Sequence, residues 1–252
     1  MIDIHAHILP GIDDGAVDLY DTLEMAQMAV DSGVNTLVAT PHCNIPGVFK
    51  NYFGEEYLDA FYSAERAIKT EGIPLFLRPG MEVFGTYDLP RLIEDGKIMP
   101  LNQSHYILME FAFDEDPGFA ARLLEEVCET NAKPVIAHVE RYEFVQHNPQ
   151  IIYEWRKKGY GIQVNKGSFL GRFGRAAWET VYNLLKCNLI SVIASDAHGA
   201  YRRTPYMLDA YEELTKDFSK EYLDILFTYN PAAICNDGEI INAGPILLPE
   251  YL

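Results

Sequence analysis

Along the chain, short apolar runs alternate with longer stretches in which apolar positions recur every three or four residues. The first run, "MIDIHAH" at 1–7, has the two-residue alternation of a half-buried strand. In "DLYDTLEMAQMAVDSG" at 18–33, Leu19, Leu23, Ala26 and Val30 share one helical face, with Asp18 as N-cap and Gly33 as stop. "VNTLVATPH" reads as a buried strand, and a helix over 55–71 stops before Gly72. "IPLFLRPGMEV", "HYILMEF" and "KPVIAHV" are further extended runs, with a helix near 118–131 between the last two. "YGIQVN" and "LISVIAS" flank a helix near 174–187, and 205–227 carries a final helical pattern.

About seven strands alternating with helices predict an α/β fold with a mostly parallel sheet. Polar residues end nearly every predicted strand: His7, His42, Glu82, Glu110, His138, Asn165 and Asp196. In a closed barrel those ends converge on one mouth, whereas an open sheet brings together only the strands beside its switch point. The distribution favours a barrel. With no repeat, low-complexity tract or linker, one domain over 1–252 is the simpler expectation.

Composition narrows the class. A chain of 252 residues, 48% of them hydrophobic, can bury a sizeable core and is not disordered. No apolar stretch approaches the roughly 18 residues of a membrane span, and the first run carries Asp3 and His5 rather than a basic leader, so a cytoplasmic protein is expected. A formal charge of −17 argues against general affinity for nucleic acid or anionic membranes. Cys43, Cys128, Cys187 and Cys235 form no CxxC pair. None precedes the glycine loop and closing arginine that a cysteine-based phosphatase needs.

The candidate chemistry lies in imidazoles and carboxylates. On a strand, His5 and His7 point to the same side, about 6–7 Å apart along the backbone, close enough to share an ion. His5, His7, His42, His138 and His198 all sit at or just past predicted strand ends; His105 and His147 do not. Asp14, Glu82, Glu110 and Asp196 keep them company. Glu110 follows the apolar run Tyr106–Met109, where a carboxylate is costly unless paired or bound to metal. These groups together exceed the roughly four to six positions of one centre, and imidazole plus carboxylate without thiolate suits manganese, iron or zinc.

The motifs "HAH", "TPH", "IAHVER" and "SDAH" resemble the polymerase-and-histidinol-phosphatase (PHP) superfamily. More narrowly, "MIDIHAHILPGIDDG", "VATPH", "VIAHVER" and "VIASDAHG" are similar to the bacterial manganese-dependent tyrosine phosphatases of capsular and exopolysaccharide operons, from residue 1 to about residue 235. The resemblance implies a distorted seven-stranded (β/α)7 TIM-like barrel holding three Mn²⁺ ions, with iron or zinc as substitutes. It implies one ion on His5, His7, Glu82 and Asp196, and a second on Glu82, Glu110 and His138. The third would take Asp14, His42 and His198. It further implies catalytic roles for Arg141, Arg203, Asp196 and His198, with Arg202 in "YRRTP" competing for the place of Arg203. The implied reaction is hydrolysis of phosphotyrosine by a metal-bridging hydroxide, and the implied partner is the tyrosine-rich tail of an autophosphorylating kinase that controls polysaccharide synthesis.

Three rival readings stand beside this one: a histidinol-phosphate or other small-molecule phosphatase of the same superfamily, a phosphodiesterase acting on nucleic acid, and a non-enzymatic acidic binding module. Two aromatic loops, 43–54 and 167–178, leave strand ends that face the expected mouth. Phe49, Tyr52, Phe53, Phe169 and Phe173 are expected to pack those loops down, and Arg172 and Arg175 to be solvated.

Overall fold

Strands run round the molecule in seven parallel lanes. The computed structural model describes residues 1–248. The strands are β1 (Ile2–Ala6), β2 (Thr36–Ala39), β3 (His42–Cys43), β4 (Phe76–Pro79), β5 (Glu82–Phe84), β6 (Tyr106–Glu110), β7 (Lys133–Ile136), β8 (Gly161–Asn165) and β9 (Val192–Ala194). One sheet has the order β1-β2-β4 and the other β3-β5-β6-β7-β8-β9. A parallel bridge from Ala6 to Ala197 joins β1 to the chain just past β9. There the Asp196 N–H donates to the His5 carbonyl and the His7 N–H to the Ala197 carbonyl, both at 2.8 Å, closing the ring.

The seven expected strands are these seven lanes, two of them split. β2 and β3 are halves of one lane interrupted at Pro41, which has no N–H to donate. β4 and β5 are interrupted at Gly80, where a Cβ would lie 2.7 Å from Val38 Cγ1. The Tyr57 hydroxyl repairs that break: it accepts from the Gly80 N–H and donates to the Gly80 carbonyl, both at 3.0 Å.

Helices Leu19–Asp31, Glu55–Thr70, Pro117–Glu129, Gln150–Lys157 and Gly174–Lys186 pack outside the ring. Their buried faces meet the outward strand residues Leu37, Val83, Ile107, Ile136, Ile162 and Ile193 in the larger apolar cluster. Ile4, Val38, Leu108, Val135, Val192 and Ala194 form a second cluster together with Ile234. Each such buried valine, leucine or isoleucine contributes roughly 1.5–3 kcal/mol. Helix Asn230–Cys235 stoppers the end where the strands start: Asn102 Nδ2 donates to the Cys235 carbonyl at 2.8 Å and the Tyr106 hydroxyl to the Gly238 carbonyl at 2.9 Å. The polar ends of the strands therefore gather at the opposite mouth.

Two helical expectations need correction. Asp18 does cap helix Leu19–Asp31, accepting from the Tyr20 and Asp21 N–H groups. Of the expected face, Ala26 is buried and Leu23 and Val30 are half-buried against the core, but the fully buried stripe is Thr22, Met25, Ala26 and Ala29, and Leu19 falls outside it. Leu19 is 38% exposed, because the Thr22 hydroxyl donates to the Ile8 carbonyl at 2.8 Å and turns that side of the helix inward. The pattern over 205–227 is not one helix. Leu208–Leu214 and Lys220–Asp224 are separate, the second capped by Ser219, and a π-helical turn Ile225–Tyr229 leads into Asn230–Cys235, whose Pro231 lacks a donor. Among the described residues no helix is long and apolar enough to cross a membrane.

Candidate metal centre

His5 and His7 do face the same way: their Nε2 atoms are 3.3 Å apart. Glu82 opens β5 in direct register with His42 of β3, and Glu110 ends β6. His138 and Asp196 lie two residues beyond β7 and β9, with φ of 35° and 50°. Non-glycine residues seldom adopt that left-handed backbone, and each instance costs about 1–3 kcal/mol that the surrounding fold must supply.

Glu82 is the hub. Its Oε1 lies 2.8 Å from His138 Nε2 and 3.2 Å from His5 Nε2, and its Oε2 lies 3.1 Å from His42 Nδ1 and 3.2 Å from His7 Nε2. Asp196 Oδ1 is 3.4 Å from His5 Nε2 and 3.5 Å from both His7 Nε2 and His198 Nδ1. Asp14 Oδ1 is 3.4 Å from His198 Nε2 and 3.5 Å from His42 Nε2. All nine residues singled out as ligand candidates thus meet in one cluster. His105 stays away from it, paired with Asp237 at 2.6 Å on the surface.

Three subsets have donor atoms mutually within 4.8 Å: His7, Asp14, His42 and His198; His5, His7 and Asp196; His42, Glu82 and Glu110. His7 and His42 each serve two subsets. The cluster also fits divalent cations by what it leaves unsatisfied. His42 Nδ1, Glu110 Oε1, Asp196 Oδ1 and His198 Nε2 are shielded from solvent without a hydrogen-bond partner among the described residues. His42 Nδ1 and Glu110 Oε1 approach to 2.8 Å, yet they form no hydrogen bond of acceptable geometry. Converging buried lone pairs of nitrogen and oxygen are what a borderline-hard cation such as manganese, iron or zinc satisfies.

Electrostatics tie the cluster together. Burial opposes charge on His5, but Glu82 and Asp196 outweigh it and its pKa rises. His7 goes well above its ordinary value, burial being overcome by Asp13, and His42 is raised to about 10 as Glu82 and Glu110 overcome its burial. Burial likewise resists ionisation of Glu82 and Asp196, yet His5 and its neighbours hold both well below the usual carboxylate range. Glu110 moves up through burial and the adjacent Glu82 charge. His198 moves down through burial and the nearby His7.

Sequence reasoning missed the residues that orient the imidazoles. Asp13 Oδ2 lies 2.7 Å from His7 Nδ1 and accepts from the His42 N–H at 2.9 Å, while its Oδ1 accepts from the Gly15 N–H at 2.9 Å. Gln163 Oε1 accepts from the His138 N–H at 2.9 Å and lies 3.1 Å from His5 Nδ1. Such contacts fix the tautomer and leave Nε2 facing the centre. Asn165 Nδ2 donates to Asp196 Oδ2 at 2.5 Å. The available signals were the doubled aspartate in "IDDG" and the placement of Gln163 two residues before Asn165 on one strand face.

Two arginines border the cluster. Arg203 Nη2 is 2.5 Å from Asp196 Oδ2 and Arg141 Nη1 is 3.9 Å from it, whereas Arg202 is exposed. The Arg141 guanidinium lies between two rings, 4.2 Å from the centroid of Phe113 and 4.5 Å from that of Phe173. Phe49 stacks on His42 with centroids 5.9 Å apart and planes 8° off parallel. Phe49 and Phe173 therefore rim the site and do more than pack loops down, while Phe169 is buried. Arg175 pairs at the surface with Glu179 at 2.7 Å, and Arg172, exposed as expected, also reaches Asp209 at 3.6 Å.

The sequence profile of the family described as "Capsular polysaccharide synthesis, CpsB/CapC" matches residues 1–236. The chain belongs to the CpsB/CapC family. It is 38% identical over 245 residues to the tyrosine-protein phosphatase YwqE of Bacillus subtilis, covering 97% of this chain and 95% of YwqE. To the tyrosine-protein phosphatase CpsB of Streptococcus pneumoniae it is 30% identical over 242 residues, covering 94% and 99%. A crystal structure from the work on YwqE and CpsB as unique metal-dependent tyrosine phosphatases superposes with a TM-score of 0.91 at 35% identity, over 99% of this chain and 100% of that one. The lactonase Lmo2620 of Listeria monocytogenes, with a TM-score of 0.59 at 14% identity over 93% of each chain, shares the fold alone. In this CpsB/CapC chain, all nine ligand candidates and both arginines stand at one end of the ring.

Proposed function

We propose that this CpsB/CapC chain is a metal-dependent protein-tyrosine phosphatase, with Mn²⁺ as its resident ion, acting in the cytoplasm on an autophosphorylating kinase of capsule or exopolysaccharide synthesis. The observation that carries the reading is the convergence of nine imidazole and carboxylate side chains, His138 joining the other eight through Glu82, beside Arg141 and Arg203, in a chain 38% identical to a tyrosine-protein phosphatase.

His5, His7, Glu82 and Asp196 would hold one ion, Glu82, Glu110 and His138 a second, and Asp14, His42 and His198 the third. Divalent ions bound there supply Lewis acidity and lower the pKa of a coordinated water toward 7. Arg141 and Arg203 would fork onto the phosphoryl oxygens and balance the charge that builds in the transition state. Asp196 sets the reach of Arg203 through their contact, and the Phe113–Phe173 sandwich holds the plane of Arg141. The leaving phenolate, with a parent pKa near 10, departs with modest assistance. Cys43, next to His42, offers no rival nucleophile: burial pushes its thiol up to about 12.

The test combines metal analysis with turnover of a phosphotyrosyl peptide. The purified protein should carry divalent metal, lose turnover on chelation and recover it with Mn²⁺. Turnover indifferent to chelator, or a higher kcat/KM on histidinol phosphate than on the peptide, would overturn the proposal.

A further inference from the structure

We infer that the corner between the 198–203 loop and helix Leu19–Asp31 is a subsite for a basic side chain, Lys or Arg, flanking the phosphotyrosine; this rests on the phosphatase reading above. Tyr201 stands at the tip of a loop that begins at His198 and ends at Arg203, closed by a 2.8 Å bond from the His198 N–H to the Arg203 carbonyl. Tyr20 lies in the first turn of the helix that follows the Asp13–Asp14 loop. Both rings face solvent, Tyr201 82% and Tyr20 66% exposed, on elements that lead directly out of the metal centre.

Glu24, one turn along the helix from Tyr20, meets the Tyr201 loop. The Tyr201 hydroxyl donates to Glu24 Oε1 at 3.4 Å, and the other oxygen, Oε2, is shielded from solvent with no hydrogen-bond partner among the described residues. A cavity of about 400 Å³ opens at this point, lined by Glu24, Gln27, Met28, Asp31, Ala200 and Tyr201. Asp31 is exposed and its Oδ1 accepts from Gln27 Nε2 at 2.8 Å, so of the two lining carboxylates it is Glu24 that has a solvent-shielded oxygen without a partner.

The chemistry of that corner selects its occupant. An apolar side chain would leave Glu24 Oε2 unsatisfied, and an acidic one would be repelled by it and by the neighbouring Asp21 and Asp31. A guanidinium or ammonium satisfies the carboxylate and lies favourably against tyrosine rings. It also answers a problem of approach. A phosphorylated segment meets a protein of net charge −17, and Arg141 and Arg203 act only once the phosphoryl group is seated. A flanking cation gives the segment an attractive contact outside the pocket, felt mainly in KM.

The experiment compares phosphotyrosyl peptides of one sequence carrying Arg, Ala or Glu beside the phosphotyrosine, on either side, using the Mn²⁺-loaded protein and its Glu24→Gln and Tyr20→Ser variants. The Arg peptide should have a KM about tenfold below the Ala peptide, and Glu24→Gln should erase that preference while leaving turnover of p-nitrophenyl phosphate unchanged. Tyr20→Ser should weaken it about threefold. Equal KM values for all three peptides, or a preference that survives Glu24→Gln, would overturn the subsite alone. Failure to hydrolyse any phosphotyrosyl peptide would overturn the phosphatase reading and the subsite with it.

Discussion

The Asp13 carboxylate lies 2.7 Å from Nδ1 of His7, on the side of the ring opposite the Nε2 that meets His5 and Glu82. The same oxygen accepts the backbone N–H of His42, so one side chain orients candidate ligands from two lanes. Asp13→Asn should keep the fold and lower metal affinity about 10–100-fold, the usual loss when an outer partner of a ligating imidazole is removed. Titration calorimetry with Mn²⁺ on the chelated variant checks this; an unchanged affinity would show that the contact is only structural.

Arg141 offers a cleaner separation of metal from catalysis. Arg141→Ala should retain metal and lose about 2–4 kcal/mol of transition-state stabilisation, the scale of a single lost donor. Phe173→Leu should produce a smaller loss of the same kind by loosening the guanidinium, partly restored in Phe173→Tyr. Steady-state rates with parallel metal analysis measure both. Full activity in Arg141→Ala would remove it from the chemistry.

Gly15 is held to its identity by crowding rather than by an unusual φ. A Cβ there would fall 2.1 Å from the His7 carbonyl oxygen and 2.4 Å from His7 Cβ. Gly15→Ala must push the loop off β1, at a cost of about 1–3 kcal/mol. Because that loop carries Asp13 and Asp14, metal should be lost with stability. A variant with wild-type melting temperature and full metal content would contradict this.

Protons should trade places with ions. In chelated protein the pKa of His42, about 10, keeps that imidazole charged at pH 7, and His5 and His7 are shifted in the same direction. Mn²⁺ requires ligating imidazoles neutral, so loading should release protons, detectable with an indicator dye in weak buffer. The linked stability has a definite sign. Imidazoles with raised pKa stabilise the chelated fold fully below about 6.5, and that contribution fades as pH climbs toward 10. Glu82 and Asp196, held low, contribute above the usual carboxylate range, and that part is lost in acid. The chelated protein should therefore melt highest near pH 5–7 and the loaded protein at higher pH. A chelated protein whose melting temperature rises from pH 6.5 to 9 would refute the assignment.

Much of the site was legible because strand alternation and strand ends are readable one residue at a time. His5 and His7 share a face by period alone, and the polar ends of the other lanes mark the mouth. What stayed hidden depends on distance in space. Asp13 and Asp14 look alike in "IDDG", and only the fold turns one toward His7 Nδ1 and the other toward His198. Gln163 is an unremarkable strand amide until His5 and His138 arrive on either side of it. The buried face of helix Leu19–Asp31 takes in Ala26, Leu23 and Val30 as expected but not Leu19, because the Thr22 hydroxyl, polar in the sequence, finds the Ile8 carbonyl in the core. That Arg203 reaches Asp196 while Arg202 stays exposed depends on the loop after His198 bending back on itself.

The closure of β1 against the chain beyond β9 has a consequence for biosynthesis. His5 emerges from the ribosome almost at once, but Glu82, His138 and Asp196 are translated progressively later, and the hydrogen bond from Asp196 to the His5 carbonyl cannot form until nearly every lane exists. No product that stops short of His198 contains the whole cage. The cage therefore cannot assemble until translation has passed His198 and the first lane can close against the last.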